Sequence, residues 1–126
     1  MLSKSVLAQF TGTENYTRWS PLFPSVVMTD GAMYVAGNGG SHGAYWLMDA
    51  IASYQPGLKH LDMQFWKLRV CVEDRTALLT CVADTGLPPV VRQEIEYTDF
   101  DLPEIDLWVA PMGDGKHLVI MLPSEY

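Results

Sequence analysis

The residues most suggestive of chemistry form a glycine-rich run, residues 37–43, which contains Gly39, Gly40, Ser41 and His42. Glycines let a backbone approach a ligand closely, and a helix that follows can direct its first amide groups at an anion. The run lacks the Gly-Lys-Ser/Thr ending of a phosphate loop, and no strand leads into it as a dinucleotide site requires. Two interpretations remain: a small-ligand loop, or a flexible connector capped by Ser41.

The same run supplies the only simple candidates for a nucleophile and a base. Ser41, His42 and a distant carboxylate would form a hydrolase triad, but adjacent side chains rarely converge on one proton. No nucleophile elbow surrounds Ser41. The three histidines, His42, His60 and His117, lack metal-binding spacing. We therefore expect no catalytic residue, no metal and no cofactor.

The two cysteines, Cys71 and Cys81, fall on successive predicted strands, where they would face each other. Neither lies in a CxxC motif or at a helix N-terminus, so we expect reduced, buried, structural thiols. Two cysteines are too few for a disulfide framework, and no signal peptide or membrane span is evident. These features predict a cytoplasmic protein without a membrane partner.

Acidic residues provide the second chemical signal. The net charge is −7, and all of it falls in residues 94–126, which contain eight acids and a single lysine. Such asymmetry predicts either a solvated surface that maintains solubility or a field that attracts a basic partner. It argues against direct binding of nucleic acid. The acids are Glu94, Glu96, Asp99, Asp101, Glu104, Asp106, Asp114 and Glu125.

Periodicity predicts the elements that position these residues. Apolar spacing indicates helices over residues 3–10 (ended by residues 11–13), 32–36 and 43–54. Ser3 or Ser5 would cap the first helix, and residues 29–31, which begin with Thr29, would cap the second. Pro21 and Pro24 indicate an irregular segment. Alternation with a period of two then indicates five strands, with a loop at residues 84–89: residues 65–73, 76–83, 90–97, 105–110 and 117–122.

This order predicts one domain, residues 1–126, of α+β class: short N-terminal helices and one longer helix on one face of a roughly five-stranded antiparallel sheet. If the third and fourth predicted strands pair, the register that buries their apolar residues places Glu96 opposite Asp106. The two carboxylates would repel each other, and Lys67 and Arg69 would relieve this repulsion if their strand lies alongside. Phe100 and Trp108 would either frame the acids as exposed anchors or fold over the core.

Six stretches, spread along most of the length of the chain, resemble a small bacterial protein family of unknown function: residues 9–14, 29–31, 43–55, 65–68, 97–100 and 122–126. The chain differs from that pattern in a longer loop at residues 37–42 and in methionine-rich, glycine-rich turns. The resemblance implies no reaction and no catalytic residues. It implies a setting of phages, plasmids and other mobile elements, where small acidic proteins often inhibit host defence, including anti-CRISPR proteins.

These observations favour a non-enzymatic interaction protein that inhibits a nucleic-acid-binding or defence complex of the host. Its protein partner would present a basic surface. The expected partner-binding residues are Glu94, Glu96, Asp99, Phe100, Asp101, Glu104, Asp106 and Trp108. The alternative is a small enzyme or ligand binder that uses the loop with Gly39, Gly40, Ser41 and His42.

Overall fold

The computed structural model describes residues 2–11, 15–84 and 86–126. Within them lie three α-helices: α1 (Lys4–Leu7), α2 (Asp30–Asn38) and α3 (Tyr45–Ser53). The strands are β1 (Thr17–Ser20), β2 (Phe23–Met28), β3 (Gln64–Cys71), β4 (Thr76–Val82), β5 (Val91–Ile95), β6 (Glu104–Pro111) and β7 (Leu118–Met121). No helix in this part of the chain is long and apolar enough to cross a membrane. Residues 12 and 13, predicted to end the first helix, and Thr85, in the predicted loop, lie outside the described ranges.

The strands form one sheet in the order β1-β2-β7-β6-β3-β4-β5. The α+β class is confirmed, but a five-stranded antiparallel sheet is wrong, because β1 and β2 extend the sheet and β2 runs parallel to β7. Most of the chain separates β2 from β7 and provides their crossover. Pro24 is tolerated in β2 because the pairing with β7 begins only at Val26.

Side-chain caps start the first two helices. The Ser3 hydroxyl accepts a hydrogen bond from the Val6 amide (3.3 Å), and the Thr29 hydroxyl accepts one from the Ala32 amide (3.2 Å). Both residues were expected at helix starts from their type, since Ser and Thr satisfy amides that have no partner within the helix. The first helix is nevertheless shorter than predicted. The expectation of one longer helix is wrong, because α2 and α3 each have nine residues.

The helices cover one face of the sheet. Their buried residues, including Leu47 and Ile51, share one core cluster with Trp66, Leu68 and Leu79 of the central strands. The inward residues of β3 and β4 alternate with outward ones, as a half-buried sheet requires. The opposite face, which we call the helix-free face, carries a small apolar cluster: Val27, Ala110, Val119 and Met121, with Met63, Trp108 and Met112 packed against it.

A buried pair of amides joins the end of α3 to β3. The Gln55 and Gln64 side chains donate to each other's oxygens at 2.9 and 2.7 Å, and the Trp66 indole also donates to Gln64 Oε1 at 2.9 Å. Gln55 Nε2 further donates to the Ile51 carbonyl. The network satisfies polar groups that would otherwise destabilise the core.

We expect Ile51→Ala to lower the free energy of unfolding by about 2–5 kcal/mol, because it leaves a cavity where the side chain is fully buried. Urea denaturation followed by circular dichroism measures the change. The matched control is Ser53→Ala on the exposed side of α3, which should stay within about 0.5 kcal/mol of the wild type. Equal stability of the Ile51 variant and the wild type would show that α3 does not cover the sheet.

Candidate interaction surface

The acidic residues of β5 and β6 are not neighbours in the sheet, although the sequence predicted that these two strands pair. The predicted pairing of β5 with β6 is wrong: β5 pairs with β4, and β6 lies between β3 and β7. Two strands therefore separate Glu96 from Asp106, a gap of about 14 Å at normal strand spacing. The connection between β5 and β6 instead crosses the end of the β3–β4 hairpin.

The carboxylates of β6 are paired with cations on β3. Lys67 Nζ lies 3.4 Å from Asp106 Oδ1, and Arg69 Nε lies 3.9 Å from Glu104 Oε2. These residues are directly opposed in the register, so β3 does lie alongside β6. The repulsion that Lys67 and Arg69 were expected to relieve is absent, because Glu96 does not lie opposite Asp106. Both pairs are partly exposed, and such pairs contribute little to stability.

Arg75 holds the crossing connection against the hairpin turn, and we call this contact the Arg75 clasp. Its guanidinium donates from Nε to the Thr98 carbonyl (2.9 Å) and from Nη2 to the Phe100 carbonyl (3.0 Å). The Thr98 amide donates back to the Arg75 carbonyl at 2.8 Å. Arg75 itself has a φ of 59°, a left-handed conformation that tight turns require.

Phe100 is fully buried, so its predicted role as an exposed partner anchor is wrong. Its ring lies beneath the glycine-rich loop, where a Cβ on Gly39 would come within 2.7 Å of Phe100 Cε1. Glycine at this position therefore makes room for the core. Burial of a large aromatic ring stabilises the protein more than its exposure would.

The structure brings part of the alternative site against the acidic segment. Asp99 Oδ2 accepts hydrogen bonds from the Ser41 hydroxyl (2.5 Å) and the Ser41 amide (2.9 Å). These two bonds, with a smaller attraction from His42, lower the pKa of Asp99 from its ordinary value of 3.8. Ser41 contacts the carboxylate directly, which is not the order of a catalytic triad. In the part of the chain that the structure describes, four open depressions have linings that include none of residues 37–43.

Asp101 is also engaged inside the molecule, since its Oδ2 accepts the Leu2 amide at 2.8 Å. Leu2 is buried, so this bond fixes the start of the described chain. Asp74 caps its own turn by accepting from the amide and hydroxyl of Thr76, and these bonds lower its pKa. Three of the carboxylates at this end of the molecule thus have structural roles.

The surface where the strands β3 and β5 end is what we call the acidic end. Glu73 and Glu96 are exposed there and make no ion pair or side-chain hydrogen bond with the residues that the structure describes. Two apolar side chains accompany them: Tyr97 is 71% exposed and Val72 is 54% exposed. Its carboxylates are Glu73, Asp74, Glu96, Asp99, Asp101 and Glu104, and its nearby cations are Lys4, Arg69 and Arg75.

Tyr97 was missed because the alternation predicted it to point into the core with Ile95. The strand β5 ends at Ile95, so the alternation stops before Tyr97. A shorter strand could have been anticipated from Thr98 and Asp99, residue types that favour turns over strands. The same reasoning applies to Val72, which follows the last residue of β3.

Glu94 and Trp108 lie on the helix-free face. Glu94 borders the acidic end, because it lines an open depression with Arg69 and Glu96, whereas Trp108 lies farther along β6. Glu94 opposes Leu78 on β4, and Trp108 opposes Phe65 on β3 with an edge-to-face ring contact of 5.3 Å. Trp108 lines an open depression of about 710 Å³ with charges of both signs, including Lys67, Arg92 and Asp106. Of the eight expected partner-binding residues, the acidic end contains Glu96, Asp99, Asp101 and Glu104.

The cysteines do not face each other. Cys71 is exposed and opposes Thr76, whereas Cys81 is fully buried and opposes Trp66. Burial raises the pKa of Cys81 to about 12, so this thiol stays protonated and unreactive. Both thiols are free, and Cys71 differs from the prediction in being exposed because it faces the helix-free side.

Asp114 and His117 form a small cluster in the β6–β7 turn. The Lys116 amide, the His117 ring at 2.6 Å and the His117 amide all bind Asp114 and lower its pKa to about 2. The described residues contain no group of three or more His, Cys, Asp or Glu side chains that would hold a metal ion. This cluster therefore serves the turn.

Together, the helix layer and the seven-stranded mixed sheet define an α+β protein, and its carboxylate-rich end carries two exposed apolar side chains. The chain belongs to a family of unknown function, DUF6876, whose model matches residues 1–126. Membership of an uncharacterised family is thus confirmed. No curated protein and no solved structure gives a match.

We expect Ser41→Ala to raise the pKa of Asp99 toward 3.8, because it removes the hydroxyl that binds the carboxylate most closely. Carboxyl-carbon NMR titration measures the pKa directly. A lowered folded-state pKa stabilises the protein above pH 3.8, and this stability is lost as the pH falls through the folded-state pKa. Ser53→Ala, whose hydroxyl contacts only the Ala50 carbonyl, is the control. An unchanged Asp99 titration in the Ser41 variant would refute the assigned cause.

Proposed function

We propose that the protein is a non-enzymatic interaction protein that binds a partner with a basic surface through the acidic end. The observation that carries this proposal is that Tyr97 is exposed at the same end of the sheet as the exposed carboxylates Glu73 and Glu96. Tyrosine is enriched among residues that dominate binding energy, and surrounding charge gives orientation and speed of encounter.

The charge balance supports a cationic partner. The acidic end gathers six carboxylates, and of its cations Arg69 is paired with Glu104 while the Arg75 guanidinium is directed at backbone carbonyls. The uncompensated negative charge attracts a basic surface and repels acidic ones. Glu73 and Glu96 are exposed and form no ion pair with any described residue, although Glu96 lines a depression with Arg69 and Arg92.

The finer proposal concerns the partner's identity. A basic surface that normally binds phosphates, such as that of a nucleic-acid-binding or defence complex, complements the acidic end best. The setting of mobile elements implied by the sequence resemblance fits an inhibitor of this kind, comparable to an anti-CRISPR protein. The acidic end would then occupy the surface in place of nucleic acid.

The test uses the bacterial proteins that bind heparin, because heparin selects basic, phosphate-binding surfaces. Immobilised wild-type protein should capture a partner from this fraction, and added heparin should release it. We expect Glu73→Lys combined with Glu96→Lys to reduce capture at least about tenfold, since like charges then face the partner. Tyr97→Ala should reduce capture by a similar factor through loss of the apolar contact.

The control is Asp62→Lys, which reverses a single carboxylate near the opposite end of β3 and should leave capture unchanged. Thermal melting of each variant confirms that it is folded. If the Glu73 and Glu96 reversals capture as much partner as the wild type, the acidic end is a solubility feature. If nothing is captured and heparin has no effect, the proposed basic partner is wrong.

A further inference from the structure

The strand β5 forms one edge of the sheet, with β4 on its single paired side. Edge strands present unpaired backbone groups to any strand that can align with them. The other edge, β1, is only four residues long and has a register irregularity between Arg18 and Ser20, which disfavours further pairing. β5 instead pairs regularly with β4 over all five of its residues, so its outer edge is straight.

The residues of β5 are complementary to themselves about Gln93. Val91 and Ile95 lie on the helix-covered face, two residues on either side of it, while exposed Arg92 and Glu94 flank it on the helix-free face. If a second β5 aligns antiparallel with Gln93 opposite Gln93, each Arg92 faces a Glu94 and each Val91 faces an Ile95. Opposite charges and apolar pairs both stabilise directly opposed positions.

No other symmetric register combines the Arg92–Glu94 pairs with the Val91–Ile95 pairs. Two antiparallel copies of β5 are related by a two-fold axis perpendicular to the sheet, and directly opposed side chains then lie on the same face. The axis must therefore pass between the two copies of one residue. Centring it on Arg92 places two arginines opposite each other. Centring it on Glu94 places two glutamates opposite each other, and Arg92 then faces Glu96, which lies outside the strand. Centring it on Val91 places Arg92 opposite Val90, and centring it on Ile95 places Glu94 opposite Glu96. Like charges at directly opposed positions are destabilising.

We propose that two copies of this chain associate through β5, antiparallel and centred on Gln93, to form one continuous sheet with both helix layers on the same side. The hydrogen bond of 2.8 Å from the Tyr54 hydroxyl to Gln93 Oε1 holds the central residue on the helix side. The pairing does not depend on the proposed function, because the acidic ends of the two copies lie at opposite ends of the joined sheet.

Sedimentation equilibrium in about 0.15 M salt, where charges are screened beyond about 8 Å, measures the dissociation constant of the dimer. Arg92→Glu alone and Glu94→Arg alone should each raise this constant at least about tenfold, because two like-charge pairs then form. The combined variant, Arg92→Glu with Glu94→Arg, restores both pairs and should return to within about threefold of the wild type. Arg18→Glu on the β1 edge is the control and should leave the constant unchanged.

A covalent test does not depend on charge. With Cys71→Ser as background, Gln93→Cys should give a disulfide-linked dimer on mild oxidation, since only residue 93 opposes itself across the axis. Arg18→Cys in the same background should not.

A wild-type protein that remains monomeric at all concentrations up to about 500 μM would overturn the proposal, as this leaves no affinity stronger than about the millimolar range. A charge swap that fails to restore a dimer, or a Gln93→Cys variant that does not crosslink, would also overturn it. Loss of heparin-releasable capture with an intact dimer would count against the proposed function alone.

Discussion

The Arg75 clasp determines how the second half of the chain is arranged. A segment leaving β5 would ordinarily turn back and pair with the same strand, because consecutive strands are usually neighbours. Here the segment crosses the end of the β3–β4 hairpin, and the guanidinium of Arg75 binds the Thr98 and Phe100 carbonyls as it passes. The crossing places β6 beside β3 and leaves β5 as an edge strand.

The surface features depend on the same crossing. Phe100 is buried within it, and Asp99 and Asp101 on either side bind the Ser41 loop and the Leu2 amide. Carboxylates that the sequence presents as a uniform acidic stretch therefore divide into structural and exposed ones. The exposed ones, Glu73 and Glu96, remain beside Tyr97 where the strands end, which is the arrangement on which the proposed function rests.

Local patterns predicted much of the fold. The periodicity of β3 and β4, the turn between them and the caps at Ser3 and Thr29 are properties of neighbouring residues, and each is present. The strands β1 and β2 were missed because Pro24 lacks the amide hydrogen that a strand inside a sheet donates, and a proline therefore argues against a strand. The predicted pairing of β5 with β6 is wrong because the Arg75 clasp joins residues far apart in sequence, and no local pattern encodes such a contact. For the same reason the candidate site was only half predicted: the acids were identified, but Tyr97 replaces Phe100 as the exposed aromatic residue.

Hydrogen exchange of an Arg75→Ala variant tests the central role of the clasp most directly. The variant loses both guanidinium bonds, so the amides of residues 98–101 and of Ser41, which Asp99 binds, should exchange at least about tenfold faster than in the wild type. The amides of Leu68 and Leu79 in the sheet interior should keep their protection. Unchanged exchange at Phe100 and Ser41 would contradict the account, because the crossing segment would then be held without Arg75.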